Sequence, residues 1–455
     1  MGRQEVDLPL APTALLARCA HEPLPFVFDG GAQSSWGSGH ALMGWAPRAV
    51  FAMRADGHAA VRSGAATEVW RGDPFELFDR FRASFAPRVG AGAPRWAGGV
   101  VAALSYDLGE WEAGKRHGRH AGGTELVLHA AVYDWVLVHS HATRRSWLAS
   151  TVLSPAALRR TARRLEAVAR GARGGSPTPA ALPVVSSLDR AGYVAAVRAA
   201  LEYIAAGDIY QVNLAQRFTG AARVHPPALF TALQSHPMPF AAYVDVGDAV
   251  LVSNSPECLL SRDGDTVATC PIKGTRARAG QPARDRAIAA GLREDTKEAA
   301  EHVMIVDLER NDLGRVCRPG SVQVQDFARV VSFPSLHHMV STVAGTLRPG
   351  VPLGEVLRAL FPGGSITGAP KIRAMEVIDE LEPVPRGFYT GAIGFADWDD
   401  RAVFNIAIRT AIVGRDGVSY HAGGGIVADS VPEREYEETL LKAQPFLTAL
   451  RTQAA

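Results

Sequence analysis

The chain has 455 residues, 47% of them apolar, enough for a large core and for more than one domain. Its 48 basic and 46 acidic side chains are interspersed and leave a formal charge of +2, which argues against a nucleic-acid partner. No apolar run approaches the ~18 residues of a membrane span. The opening Met1-Gly2-Arg3-Gln4-Glu5-Val6 lacks the pattern of a signal peptide or a myristoylation site, so a soluble, cytoplasmic protein with no membrane partner is expected. Cys19, Cys258, Cys270 and Cys317 are widely spaced, which favours buried thiols over a disulfide framework or a zinc site.

Residues 1–170 read as a strand-rich region, with apolar runs such as 126–138, that closes on an Arg- and Ala-rich helix near 155–170. A flexible linker spans 171–187 and contains Gly174-Gly175-Ser176-Pro177-Thr178-Pro179. In residues 188–455, Asp189 caps a helix whose apolar positions Val194, Val197, Leu201 and Ile204 fall at helical spacing. Strands are expected at 241–253, 265–270, 389–396, 403–413 and 418–422, and helices at 284–316, 369–381 and 433–450. Strands come in runs with helices grouped between them. That pattern favours an α+β fold on antiparallel sheets over a doubly wound one.

Several segments offer chemistry. Pro271-Ile272-Lys273-Gly274-Thr275-Arg276 places a lysine in a tight Gly-containing turn after the apolar run 266–270. Held at a strand end, it would serve as a nucleophile when neutral or as an anion anchor when charged; a solvated turn is the plain alternative. Glu298 and Glu301 share one face of a helix, and Glu435 and Glu438 repeat the spacing on the last helix, with Lys442 one turn on. Two such pairs could converge on Mg²⁺, which takes oxygen ligands, or could face water beside Lys297 and Arg434. Pro362-Gly363-Gly364-Ser365-Ile366-Thr367-Gly368-Ala369-Pro370-Lys371 precedes a helix and would suit an anion, though its spacing is not that of a nucleotide P-loop. The glycines of Ala422-Gly423-Gly424-Gly425-Ile426 would admit a ligand carboxylate to the main chain, or mark a bulge or close packing. Gly391, in Tyr389-Thr390-Gly391-Ala392, is a weaker case of the same kind.

Together these segments resemble the chorismate-utilising enzymes, whose branches are the anthranilate, aminodeoxychorismate, isochorismate and salicylate synthases. The resemblance runs from about 188 to 447 through seven ordered segments: 207–214, 253–257, 271–276, 297–315, 337–341, 362–371 and 422–442. It implies a large sandwich of antiparallel β-sheets with helices packed outside, in which residues 1–170 pack with the catalytic region 188–455. It also implies that Glu301 and Glu438 hold Mg²⁺ as cofactor, supported by Glu298 and Glu435 through water. Arg409, Lys442, Tyr389 and the backbone of Gly423, Gly424 and Gly425 would hold the carboxylates of chorismate. Gln211, Thr275, His338, Thr367 and Gly391 would line the same pocket, and Glu257 would protonate the departing C4 hydroxyl.

Two positions choose among branches. Where the isochorismate and salicylate enzymes carry a water-activating lysine, this chain has Gln211, which cannot deprotonate water. Where anthranilate synthases usually carry alanine it has Lys273, as the aminodeoxychorismate enzymes do. The expectation is therefore an aminodeoxychorismate synthase component I, with Lys273 attacking C2 and ammonia entering at C4. No cysteine sits in a Gly-x-Cys-x-Gly elbow, so ammonia is expected from a separate glutamine amidotransferase subunit. Anthranilate synthesis and a non-catalytic subunit that binds chorismate or an aromatic amino acid remain the alternatives.

Overall fold

The computed structural model describes residues 2–452 apart from 9, 37–38, 89–93, 110–124, 172–182, 222–223 and 335. Most of the expected linker therefore lies outside the described residues. Two twelve-stranded antiparallel sheets dominate the chain. The first takes Gly2–Val6, Arg145–Ser150, Val136–Ser140, His40–Gly44 and Phe26–Phe28 from the N-terminal part. It continues through Phe240–Asp245, Val250–Ser255, Thr410–Val413, Val418–Ile426, Gln211–Gly220 and Val184–Ser186. The second sheet likewise draws on both parts of the chain: Ile272–Ala277, Leu336–Thr346, Thr266–Cys270, Cys258–Asp263, Arg401–Ile406 and Ala392–Asp397 lead on to Gly99–Leu104 and Leu126–Tyr133.

Strand alternation explains why these sheets stack, since successive side chains leave a strand on opposite faces. Phe26 and Phe28 enter one apolar cluster while Val27 between them enters another. Val101 and Ala103 join the first of these, and Val100 and Ala102 a third. The shared cluster, with Phe395, Ile393 and Trp36, lies between the sheets; the other two are capped by helices such as Pro155–Arg170 and Leu353–Leu360. The α+β sandwich expected from the resemblance is thus the observed architecture.

Element boundaries depart from the sequence reading where turns intervene. The run 241–253 is two strands, broken where Gly247 takes φ +91 and donates its N–H to Asp245. The run 403–413 also divides, at Ala407 to Arg409, with Arg409 at φ +50. The helix expected over 284–316 is Pro282–Glu294 followed by Thr296–Gly314; between them Asp295 accepts hydrogen bonds from the Lys297 and Glu298 N–H groups and caps the second helix. Lys273 lies not in a turn but in the strand Ile272–Ala277, at a bulge where Gly274 adopts φ +69. Gly423, Gly424 and Gly425 are inside the strand Val418–Ile426 rather than after it.

Candidate active site

Two chain crossings between the sheets build the site. Val250–Ser255 belongs to the first sheet and Cys258–Asp263 to the second, so Ser255-Pro256-Glu257 spans the gap. Arg401–Ile406 and Thr410–Val413 cross in the opposite sense, which carries Ala407 to Arg409 alongside. The crossings are stitched together. Ser255 Oγ donates to the Ile406 carbonyl at 2.6 Å, Ile406 N–H to the Glu257 carbonyl at 3.1 Å and Asn254 N–H to the Arg409 carbonyl at 3.0 Å. Glu257 and Arg409 are thereby fixed side by side through their main chain.

Glu257 is 3% exposed, and its Oε1 accepts the Ile272 N–H at 3.1 Å, one residue before Lys273. Burial raises its carboxyl above the usual range, against the Ser365 hydroxyl, that N–H, Lys273 and Arg409. Burial likewise lowers the Lys273 amine; Glu301 opposes this, with Oε2 4.0 Å away. A Cβ on Gly425 would stand 3.1 Å from both the Lys273 Nζ and the Gln211 Nε2, so both side chains converge over that glycine. Gln211 is fully buried, and neither amide atom has a hydrogen-bond partner among the described residues.

Arg409, His338 and Thr275 form a chain. Thr275 Oγ1 is 3.0 Å from His338 Nδ1, and Arg409 Nη2 is 3.4 Å from Nε2. A guanidinium only donates, so Nε2 is the acceptor and Nδ1 carries the proton. Burial pushes His338 down to about 3, with Arg409 adding to the effect, so the ring is neutral. Tyr389 stacks on His421, ring centroids 4.9 Å apart, and burial pushes its hydroxyl up to about 12.

The carboxylate pairs lie on facing helices, Thr296–Gly314 and Pro432–Thr452. Lys297 Nζ reaches Asp429 at 3.2 Å across the gap and feels both Glu301 and Glu435. Glu298 pairs with Arg276 at 2.9 Å, and Glu438 with Lys442 at 2.7 Å. Lys442 Nζ also donates to the Gly423 carbonyl at 2.8 Å. Burial, then its neighbour Glu438, raises Glu435; burial raises Glu301 too, with Glu298 adding to it against Lys273. Among the described residues no three acidic, histidine or cysteine side chains already stand together as a metal cage. The four acids offer oxygen donors of the kind Mg²⁺ takes; Glu435 and Glu438 come together over Gly424, while Arg276 engages Glu298 and Lys442 engages Glu438.

Other expected residues are differently employed. Thr367 is fully buried and its hydroxyl donates to the Gly363 carbonyl at 2.9 Å, while the Gly364 N–H is taken by Glu309 at 3.0 Å. The glycine-rich turn thus spends these donors inside the protein. Gly391 and Gly423 are glycines because a Cβ would run into the Leu104 and Leu214 carbonyls.

Sequence reasoning missed three contributors: Arg276, which ties Glu298 to Asp295; Ser365, which faces Glu257; and the buried pair Arg386–Glu382. Arg386 donates to the Ile366 and Asn213 carbonyls, clamping the glycine-rich turn to the strand carrying Gln211. Arg276 and Ser365 lie within segments already singled out; Arg386 gives no local signal.

A family model described as chorismate binding enzyme matches residues 26–448. The anthranilate synthase component 1 1 of Haloarcula marismortui is 45% identical over 62% of this chain and 60% of its own length. The chain spans between half and two thirds of the length of such relatives. The aminodeoxychorismate synthase component 1 of Bacillus subtilis is 35% identical over 92% of this chain and 90% of its own length. Among solved structures, anthranilate synthase component I from Streptococcus pneumoniae superposes with a TM-score of 0.79 at 29% identity, covering 90% of this chain and 92% of that one. The family model's match over residues 26–448 and the shared fold agree, and the chain belongs to the family of chorismate-binding enzymes.

Proposed function

We propose that this protein aminates chorismate at C4, giving 4-amino-4-deoxychorismate, with Lys273 as covalent nucleophile. The observation that carries the reading is the placement of Lys273 Nζ over Gly425 beside Gln211, one residue past the N–H that holds Glu257. The neutral amine of Lys273 attacks C2 as the ring double bonds shift and the C4 hydroxyl departs. Glu257 supplies the proton that turns hydroxide into water, since hydroxide is a poor leaving group. Ammonia then attacks C4, the double bonds shift back, Lys273 leaves C2 as a neutral amine, and the new C4 ammonium returns a proton to the Glu257 carboxylate. Chorismate and ammonia give aminodeoxychorismate and water.

Gln211 offers no base for water at C2, which favours ammonia over water as the second nucleophile. Arg409 and Lys442 supply positive charge for the two carboxylates of the substrate. Mg²⁺ held by Glu301 and Glu438, with Glu298 and Glu435 through water, would add positive charge beside the ring carboxylate. Ammonia would come from a separate glutamine amidotransferase subunit, and the product would serve 4-aminobenzoate and folate formation in the cytoplasm.

The second reading, anthranilate synthesis, is favoured by the higher identity to anthranilate synthases over the part they share. One assay separates the two. Purified protein with chorismate, Mg²⁺ and ammonium is followed by mass spectrometry and fluorescence, with and without an aminodeoxychorismate lyase. A 4-aminobenzoate signal that depends on the lyase supports C4 amination. Fluorescent anthranilate with released pyruvate refutes it, and calorimetric binding without any product points to a non-catalytic subunit.

A further inference from the structure

Cys258 and Cys270, twelve positions apart at the open end of a hairpin, are register partners across the antiparallel strands Cys258–Asp263 and Thr266–Cys270, with a register shift between Cys258 and Ser261. Directly opposed residues in such a pair have Cα atoms about 4.5–5.5 Å apart, inside the window of about 4.4–6.8 Å that a disulfide accepts. Both are free thiols. The two differ in character. Cys258 is 2% exposed, whereas Cys270 is only partly buried and its Sγ lies 3.9 Å from Thr342 Oγ1. The largest influence on each is the other's thiol, which holds Cys258 well above the ordinary thiol value and Cys270 below it. Cys270 is the more accessible of the two and has the Thr342 hydroxyl beside its sulfur.

The position of the pair matters more than its geometry. Glu257 immediately precedes Cys258, and Pro271-Ile272-Lys273 immediately follows Cys270. The Ile272 N–H to Glu257 Oε1 hydrogen bond joins the same two chain segments just beyond the cysteines. Any change in the spacing of Cys258 and Cys270 is passed directly to the segments bearing Glu257 and Lys273.

We propose that Cys258 and Cys270 are a reversible oxidation site, closing to a disulfide that suppresses turnover. The oxidant is a small-molecule disulfide of the glutathione class. The Cys270 thiolate attacks one of its sulfurs, its S–S bond breaks, and one thiolate departs. Cys258 then gives its proton to that thiolate and displaces the second thiol from Cys270. Two protein thiols are oxidised, and one external disulfide is reduced to two thiols. Closure draws the Cβ atoms from about 4.5–5.5 Å to about 3.8 Å, a movement of about 1 Å at the base of both catalytic segments. Misplacement on that scale costs on the order of 10²-fold in rate.

Formation of the bond does not depend on which reaction the site performs; only its effect on turnover rests on the chorismate reading. The full chain is incubated with glutathione disulfide, alkylated and digested without reductant, while chorismate consumption with ammonium is followed in parallel. The expected result is a cross-linked peptide pair joining Cys258 to Cys270, a rate loss of about 10²-fold, and full recovery with dithiothreitol. Cys270→Ser, a one-atom change at the less buried thiol, and Cys258→Ala should each keep their rate under oxidant. Both thiols still alkylated after oxidation would overturn the site. A cross-link that leaves turnover unchanged, or oxidant sensitivity that persists in Cys270→Ser, would overturn the switch.

Discussion

Replacing Glu257 by Gln isolates the proton from everything else that residue does. The side chain is 3% exposed, and its Oε1 accepts the Ile272 N–H at 3.1 Å, a bond that an amide oxygen keeps with the same shape. The Glu257 main chain, bonded to Ser255 Oγ and Ile406, is untouched. Folding and the KM for chorismate should therefore hold within about threefold, because the groups offered to the substrate carboxylates, Arg409 and Lys442, are unchanged. What disappears is a positioned acid, worth about 10²–10⁴ in rate. At 1.36 kcal/mol per tenfold, that is about 2.7–5.4 kcal/mol of barrier. The assay is ammonium-dependent chorismate consumption with the product followed by mass, so that no amidotransferase partner enters. A kcat within threefold of the parent would refute the assignment of the leaving-group proton to Glu257.

Lys273→Ala should slow C4 amination by at least about 10²-fold, on the scale of losing a positioned reacting group, while leaving residual or diverted amination that product analysis would reveal. A wild-type rate would remove the covalent step and leave the family assignment standing. Arg386→Met should destabilise the fold by about 3–5 kcal/mol, read as a lower urea midpoint, because Glu382, 5% exposed, would lose its buried counter-charge. Acid should weaken the protein through His129 and His421, which burial pushes down to about 4 and about 3. Below pH 6.5 the unfolded chain takes protons that the folded one refuses, so stability present above that value is lost as the pH falls toward 4. His129→Leu should flatten this loss by on the order of 3 kcal/mol, seen in urea midpoints at pH 7.5 and pH 4.5. Equal losses in parent and variant would contradict it.

How much of this could be read from the residues follows from how local each signal is. Asp189 caps its helix as expected, its side chain accepting the Gly192 N–H, because a cap and its helix lie within four residues of each other. The break at Asp295 was equally local, yet continuous apolar spacing through 284–316 masked it. Arg409 was different. Its positive φ, in a non-glycine residue, is imposed by the crossing between sheets and has no sequence mark. Lys273 was legible as a special lysine but not as a strand residue, since a bulge depends on the partner strand Leu336–Thr346. The carboxylate pairs were legible by spacing, and so was Lys442 beside Glu438, whereas Arg276, the partner of Glu298, reaches it from another strand and belongs to the three-dimensional arrangement. Glu309 lay beyond reach: a lone acid on a helix reads as solvated, and only its bond to Gly364 gives it a buried place.

The two crossings explain why opposed requirements coexist here. A carboxyl that stays protonated needs burial, and a strand interior provides it, but a strand's own main chain satisfies only the backbone. At a crossing the ladder stops. Glu257 can then turn its side chain toward the Ile272 N–H, and Arg409 can bring a guanidinium to within reach of His338. Nearby, at the start of its own strand, Gln211 has neither amide atom hydrogen-bonded among the described residues. A buried amide of that kind costs about 1–3 kcal/mol unless something occupies the space beside it. In a fold this large that cost is carried by the two sheets, whose shared cluster runs without interruption from Phe26 to Phe395. A few polar side chains gathered at the seam, with apolar groups packed around them, are what a site for a small molecule requires.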